Sequence, residues 1–185
     1  MANKKSSTRS PRKSASSTAH RSPATRSNGS ENEAIAQLTE DHARVKKLFK
    51  QYEKLAKTDA DGSERQELAS KICAELTAHA DAEEEILYPA VREALDDASL
   101  IDEAEVEHAT ARELIAKIQD SSPDDELFDA KVKVLGEYIN HHVVEEEGEI
   151  FPKIRKGKID TVSLGEEIAA RKAEILDGLG MEVAA

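Results

Sequence analysis

Two stretches of this chain carry imidazole and carboxylate at a spacing that could bind metal. HADAEEEILYP runs from His79 to Pro89, and HVVEEEGEIFP runs from His142 to Pro152. Both read His-x-x-x-Glu-Glu, then an apolar pair ending in an aromatic residue, then Pro at the tenth place after the His. A helix turns once in 3.6 residues, so His79 and Glu83 stack on one face, as do His142 and Glu146. Each copy thus presents a nitrogen and an oxygen donor side by side. One further histidine precedes each copy: His42 lies 37 residues before His79, and His108 lies 34 before His142. Aligning His42 with His108 also matches Asp41 with Glu107, Ala43 with Ala109, Leu48 with Leu114 and Phe49 with Ile115. The chain therefore reads as two helix-pair units, each with the order His, then His-x-x-x-Glu.

The elements that must position these residues follow from apolar periodicity. A first helix is expected from near Glu31 to about Lys57, with Ile35, Leu38, His42, Val45, Phe49, Tyr52 and Ala56 on one face. The Asp-Gly turn at 58–63 leads to a second helix bearing Leu68, Ile72, Leu76, His79, Glu83 and Leu87. Pro89 is expected to kink or end that helix, leaving Ile86, Leu87 and Tyr88 to close the bundle over the polar layer. A third helix, about Ser99 to Gln119, carries Ile101, Ala104, His108, Ala111, Ile115 and Ile118. After the turn at Ser121–Pro123 a fourth carries Phe128, Val132, Leu135, Ile139, His142, Glu146 and Ile150. In every helix a histidine falls on the apolar stripe. The phase places Glu83 inward and leaves Glu84 and Glu85 as a solvated charge run. Beyond Lys158, Ser163 and Glu166 suggest a capping box, and Leu164, Ile168, Ile175 and Leu179 form the stripe of a short fifth helix without chemistry of its own.

Composition bounds the function. Aromatic residues make up 3% of the 185 residues, Trp is absent and charged residues reach 35%, a profile that favours helices over strands. No run approaches the roughly 20 apolar residues that cross a bilayer, and the N-terminus lacks an apolar signal core, so a soluble, cytoplasmic protein is expected. With one cysteine, Cys73, thiolate zinc sites and intrachain disulfides are excluded. Cys73 reads as a small buried hydrophobe.

Charge divides the chain. Residues 1–30 hold seven Lys or Arg and no acid, whereas the remaining 155 residues carry 19 basic and 38 acidic side chains. This Ser-rich tail contains no Leu, Ile, Val or Phe and is expected to be disordered. It could serve as a solvated arm, or hold DNA or another polyanion through counterion release; as a transit peptide it lacks an apolar face. The expected organisation is a tail over 1–30, a metal-binding domain over 31–158, and a short helix with its tail over 159–185.

Four histidines and two glutamates at core phases need partners, because a buried unpaired charge costs several kcal/mol. Metal is the evident partner. Imidazole with carboxylate and without thiolate suits iron, manganese or zinc, and in four-helix bundles such sets hold two ions bridged by carboxylates. Two irons are the preferred reading over manganese or zinc.

The repeated pattern with its aromatic-Pro ending resembles the hemerythrin family, specifically the HHE cation-binding domain, over about residues 34–155. Six ligand positions and their order agree. The resemblance implies an all-α, up-down-up-down four-helix bundle with a non-haem di-iron centre, in which His42, His79, His108 and His142 are terminal ligands and Glu83 and Glu146 bridge. It further implies binding or sensing of O2, NO or peroxide, or iron handling. A di-iron enzyme reducing peroxide or NO, and a DNA- or partner-associated sensor acting through the basic tail, are the alternatives. One position departs: oxygen-carrying hemerythrins have a second histidine four residues after the first on the third helix, and here that residue is Arg112. Arg112 is expected to point toward the bundle end or to pair with Glu107 or Glu113. His141 is rotated about 100° from His142 and points away.

Overall fold

A computed structural model describes residues 33–58, 61–95, 98–157 and 159–181, together with Met1. The basic segment at 2–30 and the end of the chain at 182–185 lie outside the described residues. All regular elements among the described residues are helical. They are α1 (Glu33–Lys57), α2 (Gly62–Ala82), α3 (Tyr88–Ala94), α4 (Ser99–Gln119), α5 (Phe128–Glu145), α6 (Phe151–Lys156) and α7 (Thr161–Gly178). Two π-helical turns, Glu83–Leu87 and Glu146–Ile150, join α2 to α3 and α5 to α6 without a break. No helix among the described residues is long and apolar enough to cross a membrane. The expected all-α four-helix bundle is therefore present, with each of its second and fourth rods built from two helices in line.

Pro89, expected to kink or end its helix, does not end it: the rod continues through the π turn into α3. Pro89 and its counterpart Pro152 cannot donate a backbone hydrogen bond, and one extra residue in the preceding turn absorbs the mismatch. Tyr88 N–H reaches back five residues to Glu83 O, and Phe151 N–H does the same to Glu146 O. The widened turn begins in each copy at the inward glutamate. It lets one rod carry the ligand pair and still bury Leu87 and Tyr88, or Ile150 and Phe151, beyond it.

The core is divided by the polar layer. On one side Ile35, Leu38, Leu87, Tyr88, Ile101, Phe151 and Ile168 pack together; on the other, Val45, Leu48, Tyr52, Ile72, Ile115, Phe128 and Leu135 do. Along every rod the sequence passes from one cluster to the other through its histidine. The stripe on α1 is buried except at two slots: Ala56 is half-buried near the helix end, and Leu48 is buried where Phe49 was expected, Phe49 being half-buried beside Gly136, where an added Cβ would meet the ring at 3.0 Å. Far from the layer, Tyr52 donates to Asp129 Oδ1 at 2.6 Å and Arg65 spans both oxygens of the same carboxylate at 2.9 Å.

The last helix lies on the bundle, in the groove between α1 and α2. Its N-cap is Asp160, whose carboxylate accepts from the backbone N–H groups of Val162 and Ser163, so the capping box expected at Ser163 does not form. Gly165 makes the close approach possible: a Cβ there would stand 3.0 Å from Ala34 N and 3.2 Å from Glu33 Cγ. Because α7 covers it, α2 is buried around most of its circumference, including Ala74 and Ala78, which pack with Leu176 of α7 apart from the bundle core's large residues.

Candidate metal centre

All six residues singled out by the repeat meet in one layer. His42, His79, His108 and His142 are 3–7% exposed, and Glu83 and Glu146 are fully buried. The histidines turn Nε2 inward. His42 Nε2 and His79 Nε2 are 3.2 Å apart, and His108 Nε2 and His142 Nε2 are 3.1 Å apart. Glu83 Oε2 lies 3.2 Å from His79 Nε2 and 3.5 Å from His108 Nε2, thereby reaching from one unit to the other. Glu146 Oε2 does likewise, 3.1 Å from His42 Nε2 and 3.8 Å from His142 Nε2.

The other ring nitrogens are each held by a carboxylate. His42 Nδ1 meets Glu147 at 2.8 Å, His79 Nδ1 meets Asp41 at 3.4 Å, His108 Nδ1 meets Glu84 at 3.0 Å and His142 Nδ1 meets Glu107 at 2.7 Å. The arrangement has an internal two-fold pattern. The residue before the first histidine of each unit holds that unit's second histidine, while the residue after each inward glutamate holds the first histidine of the other unit. Aromatic rings follow the same rule: Phe151 stacks on His42 and Tyr88 on His108, with centroids 5.8 and 5.6 Å apart.

This geometry fits a cation. A carboxylate on Nδ1–H fixes the tautomer and directs the Nε2 lone pair inward, as around metal-bound imidazoles. Pairs of Nε2 lone pairs at 3.1–3.2 Å then face one another, which is repulsive unless a positive charge lies near both. The carboxylates supply the second sign of fit. Glu83 Oε1 and both oxygens of Glu146 are buried without any hydrogen-bond partner, a costly state for a carboxylate and a suitable one for a metal ligand. Donor atoms from His42, His79, Glu83 and Glu146 lie within 4.8 Å of one another, and so do those from Glu83, His108 and His142. Glu83 belongs to both sets.

Electrostatics agrees. Burial works against protonation of His79, but the charge of Glu83 with the hydrogen bonds to Asp41 and Glu83 outweighs it and holds the ring up at about 10. Burial and the neighbouring His142 and His79 push His108 down to about 3. Burial tends to raise Glu83, yet His79 holds it down at about 2, and Glu146 is raised by burial and by the charge of Glu83. Glu83 keeps its charge beside a protonated His79, and a metal ion that binds neutral imidazole displaces the proton otherwise taken up there.

Several partners were not read from the sequence. Glu84 is half-buried between His108 and Arg112 and so is not part of a solvated run. Arg112 pairs with Glu84 at 2.8 Å and Asp81 at 2.7 Å, across the bundle on α2 and the turn after it, rather than with Glu107 or Glu113. The last helix does have a role at the site: Lys172 bonds the buried Asp41, and Arg171 holds Glu85. Burial alone would raise Asp41, but His79 and Lys172 bring it down to about 2. The matched Asp41 and Glu107 were a signal for the Nδ1 partners. The reach of Lys172, 131 positions from Asp41, had none.

Beside the layer, on the side of Val45 and Ile115, is a cavity of about 30 Å3 bounded by the four histidines and by Leu76, Ala111, Ile115, Ile139 and Val143. His141 is outside, with its side chain 63% exposed, as its phase requires.

Comparison with known proteins agrees with this architecture. A relative from Nostoc sp. (strain PCC 7120 / SAG 25.82 / UTEX 2576), named DNA nickase, is 32% identical over 142 residues, 76% of this chain and 39% of that protein. The chain thus spans about two fifths of the length of that relative. The crystal structure of a hemerythrin HHE cation binding domain-containing protein from Mycobacterium kansasii has the same fold, with a TM-score of 0.63 at 24% identity, over 76% of this chain and 85% of that one. The model of the hemerythrin HHE cation binding domain matches residues 33–154, the span that holds all six inward donors. With the layer of histidines and glutamates closed inside that span, the chain belongs to the hemerythrin HHE cation-binding family.

Proposed function

We propose that this protein is a non-haem di-iron protein that binds O2, NO or peroxide. The observation that carries the reading is the paired donor layer: two histidines from each unit, joined by Glu83 and Glu146, of whose four buried oxygens three have no hydrogen-bond partner and the fourth, Glu83 Oε2, accepts only from the Tyr88 hydroxyl at 3.5 Å. His42 and His79 would hold one ion and His108 and His142 the other. Iron would supply reversible one-electron chemistry at such an N/O site, which redox-inert zinc would not. The chain's own residues set the rest. Asp41, Glu84, Glu107 and Glu147 orient the rings and raise their basicity. Phe151 and Tyr88, both buried, exclude water from one side.

The 30 Å3 cavity supports a small ligand, since it exceeds the roughly 10–15 Å3 that a cavity needs to hold one water-sized molecule. Its apolar wall favours a diatomic over a charged substrate. At Arg112 a histidine would have filled one more ligand position, and the arginine turns away to Glu84 and Asp81. An ion held by His108 and His142 would then have no ligand from position 112, which would favour sensing or redox chemistry over stable oxygen storage. Metal analysis with an absorption spectrum tests the reading. About two irons per chain are expected, with bands that change on adding NO or peroxide. A colourless, iron-free protein would sink it, and turnover of peroxide or NO in excess of iron would make it an enzyme.

A second reading rests on the Nostoc relative's name. DNA association is proposed for the basic residues 1–30, because the rest of the chain is strongly acidic and repels phosphate. Binding should weaken steeply with salt and disappear when residues 1–30 are removed. Equal binding by the truncated chain would refute it.

A further inference from the structure

His141 takes no part in the buried layer, yet it stands beside it. It lies on α5 one turn before Glu145, with its Nε2 3.3 Å from Glu145 Oε1 and 4.0 Å from Glu107 Oε1 on α4. The donor atoms of these three residues lie within 4.8 Å of one another at the surface. Glu107 belongs to both places: its Oε2 holds His142 Nδ1 at 2.7 Å, while Oε1 faces His141.

The other half of the molecule shows what such a place attracts. Under the repeat, Asp41 corresponds to Glu107, Ala78 to His141 and Ala82 to Glu145. There Ala78 packs with Leu176 of α7, Ala82 is buried in the bundle core, and the ammonium of Lys172 sits on Asp41, the carboxylate that holds His79. A built-in cation thus occupies the first unit's copy of the position. In the second unit, among the described residues, the ion-pair partners of Glu107 are His141 and His142, and the place is lined by donors instead of alanines. A gap of about 10 Å3 between α4 and α5 has Glu103, Glu107 and Glu145 in its walls, with Leu100, Ala104 and Ile150 and with the fully buried Glu146, whose Oε1 has no partner and whose Oε2 has only the ring nitrogens of His42 and His142 near it.

We propose that His141, Glu145 and Glu107 form a third, surface cation site that takes a divalent transition-metal ion and passes it along this gap to the buried layer. One imidazole and two carboxylates suit Fe2+, Zn2+ or Co2+. Two negative charges at the mouth of an acidic gap concentrate such ions ahead of the buried ligands. Glu145, at the end of α5, and Glu146, at the start of the π turn, both line the gap together with Glu107, so carboxylates stand at its outer and its inner end. The loading role rests on the proposed buried ion pair, whereas the surface site does not.

The test titrates the full metal-free chain with Co2+, read by visible absorption and calorimetry, and compares it with His141→Ala and Glu145→Gln. Wild type should take up three ions per chain and each variant two. Filling of the buried layer by Fe2+ in stopped flow should slow by about tenfold in the variants, with the final buried content unchanged. Equal stoichiometry in wild type and variants overturns the site, and equal filling rates overturn its loading role. One ion in wild type and none in His141→Ala would uphold the surface site and refute the buried pair.

Discussion

The two units of this bundle have the same ligands and different surroundings. In α1–α3 the residues around the histidines are enclosed: α7 lies against them, Lys172 neutralises Asp41, and small alanines fill the space. In α4–α6 the equivalent face is open, with His141 exposed and Glu145 half-buried. Duplication therefore preserved what touches the centre and released what lies one layer out. The inner layer tolerates no drift because each glutamate serves both units; the outer layer is free to become a lid on one side and a mouth on the other.

The strongest way to break the comparison is to remove a residue that both halves share. Glu83→Ala and Glu146→Ala should each abolish binding of both ions, leaving bound metal, measured by elemental analysis, lower by about tenfold or more, since outer partners alone are worth 10–100-fold in affinity. His79→Ala and His142→Ala should lose metal to a similar extent as one another. A large difference between the two glutamates would mean that one of them does not bridge.

The next effect concerns the carboxylates that hold Nδ1. Glu84→Ala and Glu147→Ala remove corresponding partners of His108 and His42, and each should weaken metal affinity by about 10–100-fold in a competition titration against a chelator. Glu84 also anchors Arg112, so its loss should be the greater. Unchanged affinity for Glu84→Ala would restore it to a solvated charge run.

A smaller effect should separate the halves. Lys172→Met leaves Asp41 with Arg44 and His79 but without its ammonium, at a cost of about 1–3 kcal/mol. Gly165→Val pushes α7 from α1 by crowding Ala34, at a similar cost of about 1–3 kcal/mol. Thermal denaturation should show both losses, while the second unit's histidines keep their metal. If Lys172→Met melts like wild type, the lid contributes nothing to the first unit.

The smallest effect is at Cys73. It is 1% exposed, and burial pushes its thiol up to about 12. Reaction with a thiol reagent should be negligible in the folded protein and complete in denaturant. Rapid labelling of the native chain would show that α2 opens locally under α7.

Much of the site was legible because a repeat counts residues for the reader. His42, His79, Glu83, His108, His142 and Glu146 fall on apolar phases of 3.6-residue periodicity, and all six are buried together. The α4 stripe of Ile101, Ala104, His108, Ala111, Ile115 and Ile118 is buried in full. Phase failed where the helix stopped being regular. The π turns add one residue to the turn that starts at Glu83 or Glu146, and Glu84, just beyond the inward face of its own helix, meets His108 of the neighbouring rod, a contact that one helix's phase does not show. Prolines 89 and 152 marked the irregularity without revealing that the rod continues.

The sequence by itself determined the local terms: which residues share a helix face, that each unit offers nitrogen and oxygen one turn apart, and that no thiolate competes for the metal. These depend on backbone geometry within one helix, which spacing specifies. Tertiary structure decided what depends on two elements meeting. That Glu84 serves the histidine of the other unit, that Arg112 reaches Asp81, that α7 brings Lys172 to Asp41 and leaves His141 uncovered are all consequences of packing across the bundle. A side chain's own helix fixes its direction, but its partner is set by whichever rod fills the groove it faces. Gly165, by letting one helix settle against α1, chose which half of the centre would be closed.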